Sequence, residues 1–462
     1  MSDKQPNILF IHVDQLCLHT ISAYGCEFVK TPNIDKLIAN GVSFMHTYTA
    51  EPVCTPARSS WWTGKYASEH GVVHNTTSCH EDLIDLGQHL SLHGYNPLLT
   101  GKWHLSGRNV EESFHVTHEG SWYGEPTDPD VTRSAVAILR NYRSDKPFFL
   151  SVGYLNPHDC CGLPHDSNRQ GPPEALTDGL VAIEDLPPLP ETYHYDNINS
   201  ATVDYVVRKT FNQADHFTDI HWRYYLYQYA RYCEMVDCEI GAVVHALEHS
   251  THKDNTVILF TSDHGDGAAC HKRYEKCTLW DESVRVPFVI ATLSDLLPIR
   301  KDTKNFEHFA SGVDLFPTVC EIAGIACPEG LSGLSVYGAA VGSGMANPRL
   351  FAYAEAVFYS RMIRSKQYKY IMDYKPERDD RYVCPTHATH EIYRELLYDM
   401  DNLGERLNLA ELPEYQAIVA QHRQMLVDME KRLNIRQLRQ DNEYAIQLLH
   451  DRLRGYYDHV IH

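Results

Sequence analysis

The sequence has no uninterrupted apolar run long enough to span a lipid bilayer, and it has no surplus of basic residues. Its 41 lysine and arginine residues are outnumbered by 61 aspartate and glutamate residues, which gives a formal net charge of -20 at pH 7. A general nucleic-acid binder needs a basic face, and attachment to anionic lipid needs basic clusters. We therefore expect neither a nucleic acid nor a membrane as a partner.

A secretory leader and a zinc-type pairing of cysteines are also missing. The apolar stretch at residues 7–13 is too short for a secretory core, and no small-residue cleavage site follows it. The 13 cysteines are odd in number and lack the paired spacing of zinc sites. Because disulfides are rare in reducing compartments, the simplest interpretation is a reduced, cytoplasmic protein. A mature domain expressed without its leader would have the same sequence features.

The sequence does contain short apolar stretches that predict strands buried on both faces of a sheet. The clearest of them are residues 8–11, 95–100, 148–154 and 256–261. Each is followed within a few residues by an aspartate, a histidine or a lysine. In open α/β sheets, ligands bind beyond the carboxyl ends of the strands. The alternative explanation is that the polar residues after these stretches form ordinary turns.

The length of 462 residues exceeds a usual single core and favours a large domain with an appended subdomain. Residues 330–344 are rich in glycine, serine and alanine and mark the predicted boundary. We predict an α/β domain at residues 1–335, with a large mixed, mainly parallel sheet flanked by helices. Residues 345–462 are predicted to form an α+β subdomain with a short antiparallel sheet. The remaining predicted elements are helices at 223–247 and 415–433, and strands at 350–353, 360–363, 368–374 and 396–400.

Cys54 stands in a run that combines a nucleophile-type side chain with Pro56 and Arg58. Residues 59–65 predict a helix, so Cys54 is expected at a loop-to-helix junction. The N-terminus of a helix offers free backbone N–H groups and a partial positive charge, which suit an anionic substrate. The alternative is a buried structural cysteine beside a turn, and the short motif alone does not decide between the two.

Polar residues at the strand ends are candidate ligands for one divalent cation. These are Asp14, Gln15, Asp263 and His264. Two carboxylates and an amide oxygen favour a hard ion such as calcium or magnesium, and the single histidine leaves manganese open. Taken singly, each of these residues also fits an ordinary turn or helix cap.

A second group of basic residues is suited to holding the free oxygens of a sulfate or phosphate group. These are Lys102, His104, His158 and Lys276. One of the histidines could protonate a leaving alcohol, because the pKa of histidine lies near neutrality. For Lys276 the alternative is a solvated surface lysine.

With these motifs in place, the chain resembles the type I sulfatases of the alkaline-phosphatase superfamily. The blocks that carry the resemblance are residues 6–15, 54–58, 101–104, 156–158, 261–266, His271, Lys276, 282–287, 397–400, Glu405 and 408–410. Their order and spacing agree along nearly the whole chain. The resemblance implies an alkaline-phosphatase-like fold and a sulfate-ester hydrolase.

The resemblance also implies a nucleophile. A separate maturation enzyme would oxidise Cys54 to formylglycine, whose hydrated aldehyde attacks sulfur, releases the alcohol and leaves residue 54 sulfated. The second hydroxyl would then lose a proton and expel sulfate, which restores the aldehyde. A metal would be bound by residue 54 together with Asp14, Gln15, Asp263 and His264.

Roles for the basic residues follow from the same resemblance. Arg58 and His104 would hold the modified side chain, while Lys102, His158 and Lys276 would bind the sulfate group. His158 would also donate the proton to the leaving oxygen.

Two positions of the metal site depart from the commonest family pattern. Gln15 stands where many members have aspartate, and His264 stands where many have asparagine. Calcium is the first expectation, and because the glutamine lowers the negative charge around the metal, the choice between calcium and magnesium or manganese stays open. Residues 159–161 follow His158 where many members continue with proline, so the pocket wall is expected to differ there. Cys270 and Cys277 are expected to be packing residues rather than ligands.

Two other functions stay open at this point. The first is a phosphonate or phosphate diester hydrolase, because related enzymes use the same cysteine-derived nucleophile. The second is a non-catalytic anion- or sugar-binding protein whose Cys54 stays unmodified. The predicted rim is dense in histidine, aspartate, arginine and tyrosine, which favours a sulfated carbohydrate over an aryl or alkyl sulfate. The rim residues are 74–75, 122–123, 160–220 and 375–390.

Overall fold

The structure is a computed structural model. It describes residues 5–120, 123–162, 174–177, 179–195, 214, 217–345, 347–356, 360–376, 388–402, 404–437 and 439–442. None of the helices within these ranges combines the length and the apolar character that crossing a membrane requires.

The larger of two sheets has eight strands in the order β4-β3-β5-β1-β6-β7-β2-β8. Its strands are β1 (Asn7–Asp14), β2 (Gly41–Tyr48), β3 (Asn96–Gly101), β4 (His115–His118), β5 (Phe148–Pro157), β6 (Thr256–Ser262), β7 (Phe288–Ala291) and β8 (Thr303–Ser311). All neighbouring pairs are parallel except those made by β7, which runs antiparallel to both β6 and β2. The predicted mixed, mainly parallel sheet is therefore confirmed.

Eleven α-helices lie within the described residues. They are α1 (Pro32–Ala39), α2 (Cys54–Thr63), α3 (Ala67–His70), α4 (Leu86–Leu92), α5 (Gly124–Asn141), α6 (Glu174–Thr177), α7 (Asp219–Glu248), α8 (Asp281–Val284), α9 (Leu315–Ala323), α10 (Tyr337–Val341) and α11 (Gln416–Glu430). Helices α1, α5 and α7 contribute to one hydrophobic core of the large sheet. Helices α2, α4 and α9 contribute to the other.

Strand β1 lies at the centre of the large sheet and is buried along its whole length. Leu9 and Ile11 pack into one core, whereas Ile8 and Phe10 pack into the other, because successive side chains of a strand point to opposite faces. The strand pairs in parallel with β5 and β6. The carboxyl ends of these three strands therefore meet at one edge of the sheet.

The smaller sheet is antiparallel, with four strands in the order β12-β11-β10-β9. Its strands are β9 (Ala352–Ala356), β10 (Ser360–Arg364), β11 (Tyr368–Pro376) and β12 (Ala388–Asp399). It is bonded to the segment that follows β2, because the Glu355 N–H of β9 donates to the Ala50 carbonyl at 2.8 Å. The predicted C-terminal antiparallel sheet is confirmed, while the division of the chain at residues 335–345 stays a prediction.

The predicted start of the helix at residue 59 is wrong. Helix α2 already begins at Cys54, five residues earlier, and Cys54 is its first residue. Pro56 does not prevent this, because the first turn of a helix has no intrahelical partner for the N–H that proline lacks. The expected junction at Cys54 is present, but the helix begins before the proline rather than after it.

Candidate active site and cation site

The carboxyl ends of β1 and β6 and the first residue of α2 bring four ligand-type side chains together. The Cys54 Sγ lies 3.2 Å from the His264 Nε2 and 3.8 Å from the Asp14 Oδ1. With Asp263, one ligand atom from each residue lies within 4.8 Å of the others. All four side chains are buried. We call these four residues the cation cluster.

Gln15 lies beside the cation cluster and follows Asp14 at the end of β1. Its backbone has a φ of 70°, which is a costly conformation for a non-glycine residue. The Gln15 N–H donates to the Asp263 Oδ1 at 3.1 Å, and the Gln15 Oε1 accepts from the Lys276 Nζ at 2.9 Å. The predicted ligand Gln15 and the predicted anion-binding Lys276 are thus direct neighbours.

Arg58 links the two carboxylates of the cation cluster. Its Nε donates to the Asp263 Oδ2 at 2.8 Å, and its Nη2 donates to the Asp14 Oδ2 at 3.3 Å. The Arg58 side chain is buried, so its charge is balanced by these two carboxylates rather than by water. Its contacts go to the predicted metal ligands, and its role towards a modified residue 54 stays a prediction.

The basic residues around Cys54 change its acidity. Burial raises the pKa of the Cys54 thiol, but Lys102, Lys276 and His264 together outweigh burial and hold the pKa below its usual range. Lys102 also forms an ion pair with Asp14. Residue 54 therefore sits in a pocket that stabilises negative charge, as binding an anionic group requires.

His104 and His158 each form a hydrogen bond with the Cys54 side chain. Burial is the main reason why the pKa of both imidazoles is lowered, and for His158 the charge of Lys276 adds to it. Lys102, His104 and His158 are only partly buried, in contrast to the cation cluster. These three residues form the accessible side of the site.

The structure thus brings together all the residues that the sequence analysis selected. They are Asp14, Gln15, Cys54, Arg58, Lys102, His104, His158, Asp263, His264 and Lys276. The roles assigned to them stay predictions.

The donor set fits a divalent cation. Asp14 and Asp263 are buried carboxylates, and one oxygen of each lies 3.7 Å from the His264 Nε2. Burial lowers the pKa of His264, but the charges of Asp263 and of the Cys54 thiolate outweigh burial and raise it above its usual value. Converging buried oxygens and an imidazole form a typical site for a hard or borderline cation.

Three residues of the site were missed by the sequence analysis. His12 bonds Ser151 at 3.0 Å through its Nε2 and Arg58 at 3.2 Å through its Nδ1. Asp266 contacts the Gln15 amide at 2.7 Å, and Tyr225 donates to the same Asp266 oxygen at 2.8 Å. His12 could have been found from the sequence, because it lies two residues before Asp14 and alternate residues of a strand share a face. Nothing in the sequence points to Tyr225.

The residues after His158 do form part of the pocket wall, as expected. The Cys161 Sγ lies 3.0 Å from the Gln15 Nε2. Asp159 is directed elsewhere, because its carboxylate accepts the Gly124 and Glu125 N–H groups at 2.9 Å each, at the start of α5.

Cys270 and Cys277 are buried thiols, and neither belongs to the cation cluster. Their predicted role as packing residues agrees with this burial.

Of the predicted rim, Asn75 contacts the residue next to Cys54. Its Oδ1 accepts the Thr55 N–H at 3.0 Å, at the start of α2, and its carbonyl accepts from the Ser106 Oγ at 2.6 Å. Most of the other rim residues lie outside the described ranges. These are residues 122, 163–173, 178, 196–213, 215–216 and 377–387.

Comparisons with known proteins bear on the whole chain. The family model described as Sulfatase matches residues 6–325. The chain is 29% identical over 458 residues to the Delta 4,5-hexuronate-2-O-sulfatase of Bacteroides thetaiotaomicron, covering 92% of this chain and 89% of that protein. A solved 2-O GAG sulfatase superposes with a TM-score of 0.76 at 27% identity, covering 93% of this chain and 92% of that one.

An enzyme of another specificity shares the fold. The phosphonate monoester hydrolase of Agrobacterium radiobacter superposes with a TM-score of 0.75, covering 93% of this chain and 96% of that one. Its sequence identity to this chain is 21%, so the likeness concerns the fold alone.

Proposed function

The chain belongs to the sulfatase family and is a sulfuric ester hydrolase, and we propose that its substrate is a sulfate ester of a carbohydrate. The observation that carries the proposal is the buried cation cluster at residue 54, with Lys102 and Lys276 beside it. The substrate class is supported by two relatives, which are named a Delta 4,5-hexuronate-2-O-sulfatase and a 2-O GAG sulfatase.

The proposal includes one modified residue and one bound cation. Cys54 is converted to formylglycine by a separate maturation enzyme, and one divalent cation, calcium before magnesium or manganese, is held by the cation cluster and Gln15. When bound, the cation acts as a Lewis acid and favours a deprotonated nucleophile near neutral pH. A cytoplasmic location is supported by the described cysteines, all of which are free thiols.

The residues of this chain bind and orient the sulfate group. Lys102 and Lys276 balance its negative charge, which grows on the oxygens during transfer and is the main target of electrostatic catalysis. Arg58 keeps Asp14 and Asp263 in place through its bonds to both carboxylates. The Arg58 guanidinium therefore acts by holding the two carboxylates that would bind the cation.

His158 is placed to give a proton to the leaving oxygen, because it contacts residue 54 from the accessible side. Burial and Lys276 lower the pKa of the imidazole in the free protein. The negative charge of a bound sulfate ester opposes both effects and favours the protonated form. Substrate binding therefore prepares His158 for proton donation.

The most direct test of the nucleophile is peptide mass analysis around Cys54, which distinguishes an aldehyde from an intact thiol. Cys54→Ala is expected to abolish turnover, because no other group replaces the nucleophile, while the melting temperature stays close to that of the wild type. Cys320→Ala removes another buried thiol, in the core beside α9, and is expected to retain activity. Near-normal turnover of Cys54→Ala would show that the nucleophile lies elsewhere.

The substrate class is tested with a panel of sulfated sugars, simple aryl sulfates and phosphonate or phosphate esters that carry one common leaving group. We expect the highest kcat/KM on a sulfated sugar. Activity on aryl sulfates but on no sugar would overturn the carbohydrate assignment, and a preference for phosphorus would favour the diester hydrolase. An intact thiol at Cys54 with retained sugar binding would favour the non-catalytic alternative.

A further inference from the structure

Asp266 is a fully buried carboxylate that receives five hydrogen bonds. Its Oδ1 accepts the Ala268 N–H at 2.7 Å. Its Oδ2 accepts the Glu275 N–H at 2.9 Å, the Tyr225 hydroxyl at 2.8 Å, the Gln15 Nε2 at 2.7 Å and, more distantly, the Cys160 Sγ at 3.8 Å. The Gln15 contact is the shortest of the four at this oxygen, and it connects Asp266 to the candidate cation site.

The backbone fixes Asp266 as an acceptor. Each of its two oxygens faces a backbone N–H, from Ala268 or from Glu275, and a backbone N–H can only donate. The Gln15 amide meets this acceptor with its NH2 group, which donates to the Asp266 Oδ2 at 2.7 Å.

Lys276 fixes the other end of the same amide. Its Nζ donates to the Gln15 Oε1 at 2.9 Å, and a lysine ammonium has no acceptor. An anion at the NH2 group and a cation at the carbonyl oxygen thus select one of the two amide orientations. The backbone of Gln15 is held as well, because its N–H donates to Asp263 and its carbonyl accepts from Tyr229 at 2.6 Å.

We propose that Asp266 is a positioning residue that keeps the Gln15 carbonyl oxygen directed towards the cation site. Partners behind a metal ligand commonly orient it in this way. An amide can coordinate a cation through its oxygen but not through its NH2 group, so the orientation decides whether Gln15 is a ligand. The inference deepens the proposed function and rests on it only for the presence of a divalent cation.

The test measures cation affinity and does not depend on turnover. Wild-type and Asp266→Asn proteins are stripped with a chelator and titrated with Ca2+ and with Mn2+ by calorimetry. An asparagine can donate to the Gln15 oxygen and allow the amide to turn, so we expect at least roughly tenfold weaker binding. The carboxylate introduced by Q15E presents an oxygen on both sides and has no orientation to lose, so Asp266→Asn is also made in the Q15E background. Asp266→Asn is expected to weaken cation binding in the Gln15 protein but not in D266N/Q15E relative to Q15E alone, which a merely structural role would not predict.

Tyr225→Phe is the matched control, because it removes another hydrogen bond from the same Asp266 oxygen and has no bond to Gln15. Its affinity is expected to stay within about twofold of the wild type. Unchanged affinity of Asp266→Asn, or an equal loss of affinity when the substitution is made in the Q15E background, would overturn the proposal.

Should Asp266→Asn fail to fold, a crystal structure of the wild type with Mn2+ decides the question. The proposal requires that the Gln15 Oε1 coordinates the Mn2+ ion while the Gln15 Nε2 donates to Asp266. A bound Mn2+ ion that Gln15 does not coordinate would reject it. A wild type that binds no divalent cation would overturn the cation site of the proposed function as well. If the wild type binds the cation and Asp266→Asn binds it equally well, only the role of Asp266 is rejected and the cation site stands.

Discussion

At the scale of single residues, Arg58 shows how the site is held together. Its guanidinium donates to both carboxylates of the cation cluster, and all three side chains are buried. Desolvation costs such a group several kcal/mol, which only well-formed partners offset. The planar fork of arginine reaches two acceptors at once, whereas lysine is a single point of charge.

We therefore predict that Arg58→Lys lowers the free energy of unfolding by about 3 kcal/mol, in the range found when a buried ion pair loses a partner, and also reduces kcat. Urea denaturation and steady-state kinetics measure the two effects. Arg436→Lys is the control, because Arg436 forms an ion pair with the exposed Asp82, and its effect is expected to stay below about 0.5 kcal/mol. Equal effects of the two substitutions would contradict the prediction.

At the scale of elements, Asp128 fastens α5 to the end of β5. Its carboxylate accepts the Leu155 N–H at 2.8 Å and the Asn156 N–H at 2.9 Å. These residues directly precede the turn that carries His158. Burial raises the pKa of Asp128 to about 7, so the folded protein holds a proton here that the unfolded chain releases near pH 4.

A raised carboxyl pKa stabilises the folded state at low pH, and this contribution is lost as the pH rises from about 4 to about 7. We predict that Asp128→Asn, which has no proton to lose, becomes more stable relative to the wild type across this range. Urea denaturation at pH 5 and pH 7.5 measures the change. Asp130→Asn, at a half-exposed carboxylate of the same helix that pairs with Arg133, should show no such trend between pH 5 and pH 7.5. A difference between wild type and Asp128→Asn that is independent of pH would disprove the assignment.

The elements also show what the sequence could and could not predict. Asp14 and Asp263 were predictable because each lies just beyond a short apolar stretch, at residues 8–11 or 257–260, and parallel strands end at one edge of a sheet. Strand β7 was not, because four apolar residues carry no sign of an antiparallel direction. The role of Asp266 at Gln15 depends on side-chain directions that spacing along the chain does not contain.

At the scale of the whole molecule, Lys369 of the small sheet is buried against the large domain. Its Nζ donates to the Leu279 carbonyl at 3.0 Å, to the Asp281 Oδ1 at 2.5 Å and to the Glu405 Oε1 at 2.7 Å. Burial is the main reason that the pKa of Glu405 is raised, to about 7, although Lys369 opposes the shift. The two parts of the chain thus share one buried charge cluster.

We predict that Lys369→Met destabilises the protein by about 3–5 kcal/mol, because the buried Glu405 loses its cation and the partly buried Asp281 loses one of its basic partners. Thermal and urea unfolding measure the loss, and adding Glu405→Gln should recover part of it. Lys366→Met, at an exposed position between β10 and β11, is expected to change stability by less than about 0.5 kcal/mol. A loss in Lys369→Met no larger than in Lys366→Met would show that the cluster contributes nothing to the junction.

The burial of Cys54, which is 1% exposed, has a consequence for the order of events during biosynthesis. Residues 55–60 are all buried as well once α2 has packed, so the folded chain presents neither the thiol nor the segment after it to another protein. If Cys54 is converted to formylglycine as proposed, we therefore expect that oxidation to occur before α2 packs. Conditions that slow folding are then expected to raise the fraction of active enzyme.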